Sequence, residues 1–434
     1  SKDGGETWSP VKGYDDLGLF KNTLKWPTWT EHVVRAATTA EYGSQNGVAT
    51  IHIQGGKVYV GTSVQAEGNM VVADVGSDDF TVLSKDLPTN SYPSRINVDA
   101  DGNLLLCYIG GLTFNGTGGG IYRYNPTDQT VTDISPSGNS FSACMTQPDN
   151  ANALIATTCG VWSTQSWSKN DSPYGDWLYR SMDGGKTWTK MANSPGGRAA
   201  ITQLEDGTYR FFKSDSSSDQ SAGVSYSDDF GQTWSSCTGI PSSYGSKPTN
   251  MFVDPDQPNL VYAYVTYYNS SWGYSKPAAE LSDAQYDLCV STDYGKTFTS
   301  TTVCMYDQCD SAGRIAYLGD GKLALAAGWY GAYRVSDSGK TIEKMENVSY
   351  CKTMGYGAPE KEGGMNTLFM YGKPDESDPE GIYRSTDGGD TWVCINTQKL
   401  YGGTGNGNFL VGDMNEFGKV YMSTVGCGIV VGSL

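Results

Sequence analysis

Short apolar runs, mostly five to eight residues long, alternate with glycine- and aspartate-rich breaks along almost the whole chain. In VATIHIQ and KVYVGTS the apolar positions alternate with polar or small ones, the period of a β-strand. No stretch holds a helical period over about 12 residues. The runs fall into units. VATIHIQ, KVYVGTS and NMVVADVG form the first, and SRINVDA, NLLLCYI and GIYRYNP the second. CMTQPDN, ALIATTCG and DWLYRS make the third, AAITQLE, YRFFKSD and GVSYS the fourth, and NMFVDPD, LVYAYVTYY and YDLCVS the fifth. RIAYLGD, KLALAAG and GAYRVS give a sixth, and TMGYGAP, TLFMYGK and GIYRS a seventh. An all-β fold follows.

An octapeptide punctuates these units. SKDGGETW starts at Ser1, SMDGGKTW at Ser181, SDDFGQTW at Ser227, STDYGKTF at Ser291, a degraded VSDSGKTI at Val335 and STDGGDTW at Ser385. This is the Asp-box, S-x-D-x-G-x-T-W. The Asp bonds backbone N–H groups of a turn, the Gly supplies a positive φ, and the Thr and aromatic begin the next strand. Asp3, Asp183, Asp229, Asp293, Asp337 and Asp387 share the same neighbours, so they are read as structural rather than catalytic. In the second unit NPTDQTVTD stands where a box would be.

From Asp183 onward the box aspartates are 46, 64, 44 and 50 residues apart. A four-stranded propeller blade takes roughly 40 to 50. The predicted fold is a β-propeller of seven or eight four-stranded blades with Asp-box turns, residues 1–434 forming a single domain. NFLVGDM, KVYMSTV and GIVVGSL supply three strands of a closing blade, and residues 1–12 complete it with 405–434. Residues 13–45 are an irregular lead-in carrying Trp26 and Trp29.

A net charge of −17 excludes a protein whose affinity rests on neutralising phosphates, so no nucleic-acid partner is expected. No run of 18 apolar residues exists, and no membrane partner is expected either. The 29 tyrosines and 11 tryptophans suit a neutral sugar polymer, because aromatic faces stack on pyranose rings while amides and carboxylates bond hydroxyls. Ten cysteines point to an oxidising compartment and disulfides, with Cys304–Cys309 and Cys394–Cys427 as candidate pairs. Sequons begin at Asn115, Asn170, Asn269 and Asn347 and permit glycosylation, and Ser1 opens the chain without Met, consistent with a processed secretory protein or a trimmed chain; the expected location is extracellular. His32 and His52 are too few and too isolated for a metal site, so no metal or cofactor is expected.

Several segments resemble glycoside hydrolase family 74, the xyloglucan-active endoglucanases. They are SRINVDADGNLLLCYIGGLTFNGTGGGIYRYNPTDQTVTDISP from Ser94, GRAAITQLEDGTYRFF from Gly197, KTMGYGAP from Lys352, GIYRSTDGGDTWVCIN from Gly381 and GNGNFLVGDMNEFGKVYMSTVGCGIVVG from Gly405. The resemblance implies a polysaccharide substrate, a plant cell-wall glucan, and inverting acid–base hydrolysis of the xyloglucanase type. The family pairs two seven-bladed propellers across a cleft, and this chain has residues for about one. Its aspartate motifs, R-T-D-x-G-G and G-D-x-G-G-F, are both absent here. A fragment, a reduced relative with another site, and a propeller that binds without cutting all fit this departure. Oligomers could rebuild a two-sided cleft, and the sequence leaves the oligomeric state open.

An inverting enzyme needs a protonated carboxyl and a carboxylate base about 6.5 to 9.5 Å apart. The family's R-T-D falls on the loop after a second strand. The positional analogues are Asp215 in FFKSD and Asp375 in MYGKPD, with Glu67 in SVQAEG a third; each is otherwise a solvated loop acid. Candidate substrate-binding aromatics follow second strands: Trp162, Tyr267, Trp272, Tyr274, Trp329 and Tyr330. Alternatives are a non-catalytic glycan-binding or assembly propeller and a sialidase. A sialidase needs clustered arginines and an F-R-I-P-like start, and the chain shows no such start and sparse arginine.

Overall fold

The computed structural model describes residues 48–62, 67–77, 79–110, 119–136, 141–158, 177–193, 199–214, 223–240, 246–267, 285–304, 315–396, 410–423 and 429–433. Every regular element among them is a β-strand. The strands form eight antiparallel sheets, each joining strands in sequence order. Those spanning 48–82, 91–133, 141–193, 199–236, 246–304, 315–344 and 350–394 have four strands, and the one at 410–432 has three. This is the succession of blade-like units that the strand pattern predicts. The expected strand within residues 1–12 and the lead-in 13–45 lie outside the described residues.

Two compact units divide the sheets. The first three belong to one, the fifth to the eighth belong to the other, and residues of the fourth are shared out between them. Within the first unit a single strand feeds two cores. Leu104, Leu106 and Tyr108 pack with Tyr59 and Met70 of the first sheet, whereas Leu105 and Cys107 pack with Phe141, Cys144 and Leu154 of the third. The second unit repeats the device: Leu323 and Leu325 face Tyr262 and Leu288, while Ala324 and Ala326 face Met354, Leu368 and Met370. With sheets on both sides the strand is apolar throughout. Each Leu buried there is worth about 1.5–3 kcal/mol.

Among the described residues the octapeptides lie between third and fourth strands, and the polar side chains of most are used up inside the turn. Ser181 Oγ donates to Asp183 Oδ1 at 2.8 Å and accepts from Gly185 N at 2.9 Å. Asp183 in turn accepts from Thr187 N at 2.9 Å and Thr187 Oγ1 at 2.6 Å. The same bonds recur around Asp229, Asp293 and Asp387. The hydroxyl and N–H of Thr187, then the Ser181 hydroxyl, hold the Asp183 carboxyl down at about 2. The Gly at the fifth position answers a packing demand as well as a positive φ. At Gly185 a Cβ would sit 2.7 Å from Ile134, and at Gly295 2.4 Å from Phe212.

Arginines tie one sheet to the turn of the next. Arg123 Nη1 donates to Gly184 O at 2.9 Å, Arg180 Nε to Phe230 O at 2.6 Å, Arg210 Nη1 to Tyr294 O at 2.9 Å, and Arg334 Nε to Gly388 O at 2.9 Å. All four acceptors are the residue after the turn aspartate. A hydrogen bond from a charged donor contributes about 1.5–3 kcal/mol where it is shielded from water. The guanidinium therefore fixes how far each turn sits along its neighbour.

Candidate functional site

Side chains suited to a sugar polymer gather on the sixth and seventh sheets. The second strand of the sixth sheet, Lys322–Ala326, ends in a tight turn closed by Ala327 N donating to Gly331 O at 2.9 Å. Gly328 exchanges two backbone bonds with Cys351, at 2.7 and 2.9 Å, which pins the turn to the seventh sheet. At Gly331, where φ is 82°, a Cβ would meet Val348 O at 2.1 Å, so the close approach requires glycine.

Trp329 stands at the tip of this turn, 57 % exposed, with its ring 4.4 Å from that of Tyr350 and tilted by 35°. A large indole left this open, yet buttressed by a second ring, keeps one face available to a ligand at little ordering cost. Tyr330 behaves differently. It is half-buried and packs against the core between the fifth and sixth sheets. Tyr350, which sequence reasoning passed over, takes the place beside Trp329.

Tyr350 pairs across the sheet with Lys373, two residues before Asp375. Trp329, Tyr350 and Asp375 therefore belong to one stretch of surface. Asp375 is exposed, and its Oδ1 accepts from Ser377 N at 2.9 Å and Ser377 Oγ at 2.7 Å. The Ser377 hydroxyl, then its N–H, lowers the Asp375 pKa from the ordinary carboxylate value. Asp375 N donates to Asp378 Oδ2 at 3.1 Å. The loop is thus self-capped, with Asp375 Oδ2 outside these bonds.

Beside that loop opens a cleft of about 490 Å³ lined by Asn347, Pro374, Asp378, Tyr383, Asp390 and Trp392 among others. Asn347 Nδ2 donates to Gly389 O and Asp390 O, both at 2.9 Å, and Arg334 Nη2 meets Asp390 at 2.7 Å. One wall is therefore fixed by Arg334 of the sixth sheet and by Asn347, in the connection that follows it. Ser349 N bonds Lys373 O at 3.0 Å and Pro374 O at 2.9 Å, linking the cleft to the strand that starts at Tyr350. Two aromatic rings, two prolines and two carboxylates suit a ligand with apolar C–H faces and hydroxyl donors.

Other sequence candidates lie elsewhere. Asp215, Trp162, Trp272 and Tyr274 fall outside the described residues, as do Trp26 and Trp29. Tyr267 ends the strand Val261–Tyr267, its backbone paired with Ser246. Glu67 is a surface acid 3.8 Å from Lys85 Nζ, an exposed pair of small energetic weight. Cys394 is exposed with a free thiol, so its expected tie to Cys427 is not made; no disulfide is seen among the described residues.

No family model matches the chain. Curated relatives do. A xyloglucanase of Paenibacillus sp is 29 % identical over 58 % of this chain and 22 % of its own length. An oligoxyloglucan-reducing end-specific xyloglucanase of Emericella nidulans is 25 % identical over 58 % of this chain and 31 % of its own. A solved glycoside hydrolase family 74 enzyme of Niastella koreensis is 22 % identical, with 89 % of this chain and 74 % of that one covered, at a TM-score of 0.29. The chain thus spans less than a third of the curated relatives it matches. Across that partial coverage its sequence is xyloglucanase-like, in agreement with the resemblance of its segments to glycoside hydrolase family 74.

Proposed function

We propose that this chain acts on a xyloglucan-type β-glucan, as a glycoside hydrolase or as the substrate-holding part of one. The observation that carries the reading is the open Trp329 face braced by Tyr350, next to an acidic loop and a cleft. The names of the related proteins supply the glycan class. A pyranose ring stacks on the indole while carboxylates accept its hydroxyl protons. The setting proposed is extracellular.

Hydrolysis with inversion asks one carboxyl to protonate the leaving oxygen and another to activate water. The lowered pKa of Asp375 is opposite to what a general acid needs and suits a base. We assign Asp375 the base role and keep Asp215 as a separate catalytic candidate. A second reading, binding without cleavage, is favoured by the two bonds from Ser377 that occupy Asp375 Oδ1.

Incubation with tamarind xyloglucan, mixed-linkage glucan and a sialylated control, followed by reducing-end assay and affinity electrophoresis, separates the readings. Oligosaccharide release lost in Asp375→Ala and Asp215→Ala supports hydrolysis. Release retained in both variants removes those assignments, and retardation without products leaves the binding reading. Trp329→Ala is expected to weaken retardation by about thirtyfold, one interface hot spot's worth, without changing thermal stability. Unchanged retardation would remove the platform from the site.

A further inference from the structure

In three sheets the aspartate that follows the first strand caps the turn, its Oδ1 accepting from two backbone N–H groups. Asp99 takes those of Asp101 and Asn103, Asp254 those of Asp256 and Gln257, and Asp413 those of Asn415 and Glu416. They differ at the second oxygen. Asp99 Oδ2 meets Arg123 Nε at 3.0 Å, and Asp413 Oδ2 accepts from the Tyr421 hydroxyl at 3.3 Å. Asp254 is 1 % exposed, and its Oδ2 is buried with no hydrogen-bond partner. The sequence accounts for this. Counted from the aspartate, the strand register puts Val290 in the fifth sheet where Arg123 stands in the second, and Tyr262 where Tyr421 stands in the eighth. Valine has no charge to offer, and the Tyr262 hydroxyl donates to Gly321 O at 3.2 Å instead.

A second carboxylate crowds the same place. The Tyr317 hydroxyl lies 3.1 Å from Asp254 Oδ1 and 2.5 Å from Asp256 Oδ2. Burial, then the bond to Asp256, pushes that hydroxyl up, so it keeps its one proton and shares it between two carboxylates. Among the described residues no lysine or arginine pairs with either. A buried carboxylate oxygen without a partner is costly. We propose that Asp254 Oδ2 and Asp256 bind a hydrated hard divalent cation, magnesium or calcium, which does for the fifth sheet what Arg123 does for the second. Asp256 is exposed, so the ion has a way in from solvent. Such ions take oxygen ligands, and magnesium keeps several waters while one or two carboxylates hold it. A zinc-type set is not offered, since no three His, Cys, Asp or Glu side chains gather among the described residues. The site does not depend on the glycan reading.

Thermal unfolding of the full chain, first stripped with a chelator, tests this. About 10 mM magnesium or calcium chloride should raise the midpoint by about 2–4 °C over sodium chloride of equal ionic strength, as for a site of about millimolar Kd filled at about ten times that concentration. Asp254→Asn keeps an oxygen for the two backbone N–H groups while removing the charge, and should abolish the rise. Asp256→Asn, at an exposed position, should weaken the apparent cation affinity about tenfold, and it decides the matter if the first variant does not fold. No rise with either cation would overturn the proposal, and so would a rise of the same size in the variants as in the wild type.

Discussion

The turn at Ser385–Trp392 and the turn at Val335–Ile342 occupy equivalent places in adjacent sheets but are held in different ways. In the seventh sheet, Ser385 Oγ bonds Asp387 at 2.7 Å and Gly389 N at 2.8 Å, and Asp387 takes both the N–H and the hydroxyl of Thr391 at 2.9 and 2.5 Å. In the sixth, valine replaces the serine. Val335 is fully buried in the core with Leu323 and Leu325; of the bonds within the octapeptide the turn keeps a 3.2 Å one from Thr341 Oγ1 to Asp337, while Ser338 Oγ donates outward to Gln257 Oε1 at 3.2 Å. Its backbone adapts. Gly339 N bonds Ser336 O instead of a hydroxyl, and Asp337 takes a positive φ of 51°, whereas the 53° of Ser338 matches the positive φ of Phe230, Tyr294 and Gly388 at the same position. A turn can therefore be held from within by a polar network, or from beneath by packing, at some backbone strain.

The comparison is broken most severely at the serine. Ser385 is 2 % exposed, and removing its hydroxyl leaves Gly389 N–H without its acceptor. Ser385→Ala is expected to cost about 1–3 kcal/mol in denaturant unfolding. The reciprocal change, Val335→Ser, is expected to destabilise as well, because the hydroxyl replaces two methyl groups at a fully buried position. If Val335→Ser were stabilising, the packing account of the sixth-sheet turn would fail.

Acid sharpens the same contrast. A carboxyl held at about 2 in the folded chain, as Asp183 is, has an unfolded value near 3.9. Its folded value is depressed, so its contribution is present above about pH 4 and is lost as pH falls towards 2. Unfolding midpoints recorded between about pH 5 and 2 should drop, and Asp183→Asn should flatten that drop. An unaltered slope would mean that the turn network does not couple to protonation.

The turn residues were legible in the sequence because each works through neighbours a few positions away. A box serine, its aspartate and its threonine meet by local chain geometry alone. The blade-like sheets were legible for a related reason, since short strands in sequence order pair with their neighbours. Trp329 could be named as a candidate because aromatics after a second strand stand out. Tyr350 and the arginine ties were not found, since each acts on the next sheet along. All four arginines follow a tyrosine, at Tyr122, Tyr179, Tyr209 and Tyr333, but only Arg180 and Arg334 stand just before an octapeptide, and Arg210 does the same task from a second strand. Asp375 shows the converse error of emphasis. Its sequence position could be named, but its capping by Ser377 could not.

The mildest test concerns the threonines. Thr391 supplies both its N–H and its hydroxyl to Asp387, whereas Thr341 supplies a long hydroxyl contact alone. Thr391→Val should therefore cost about 1 kcal/mol, and Thr341→Val less than about 0.5 kcal/mol, in the same denaturant titration. The backbone bonds Gly339 N to Ser336 O and Lys340 N to Asp337 O, at 3.0 and 3.3 Å, would persist without the Thr341 hydroxyl. Equal costs at the two threonines would mean that the sixth-sheet turn leans on its remaining polar contact after all, and that burial of Val335 does not hold it.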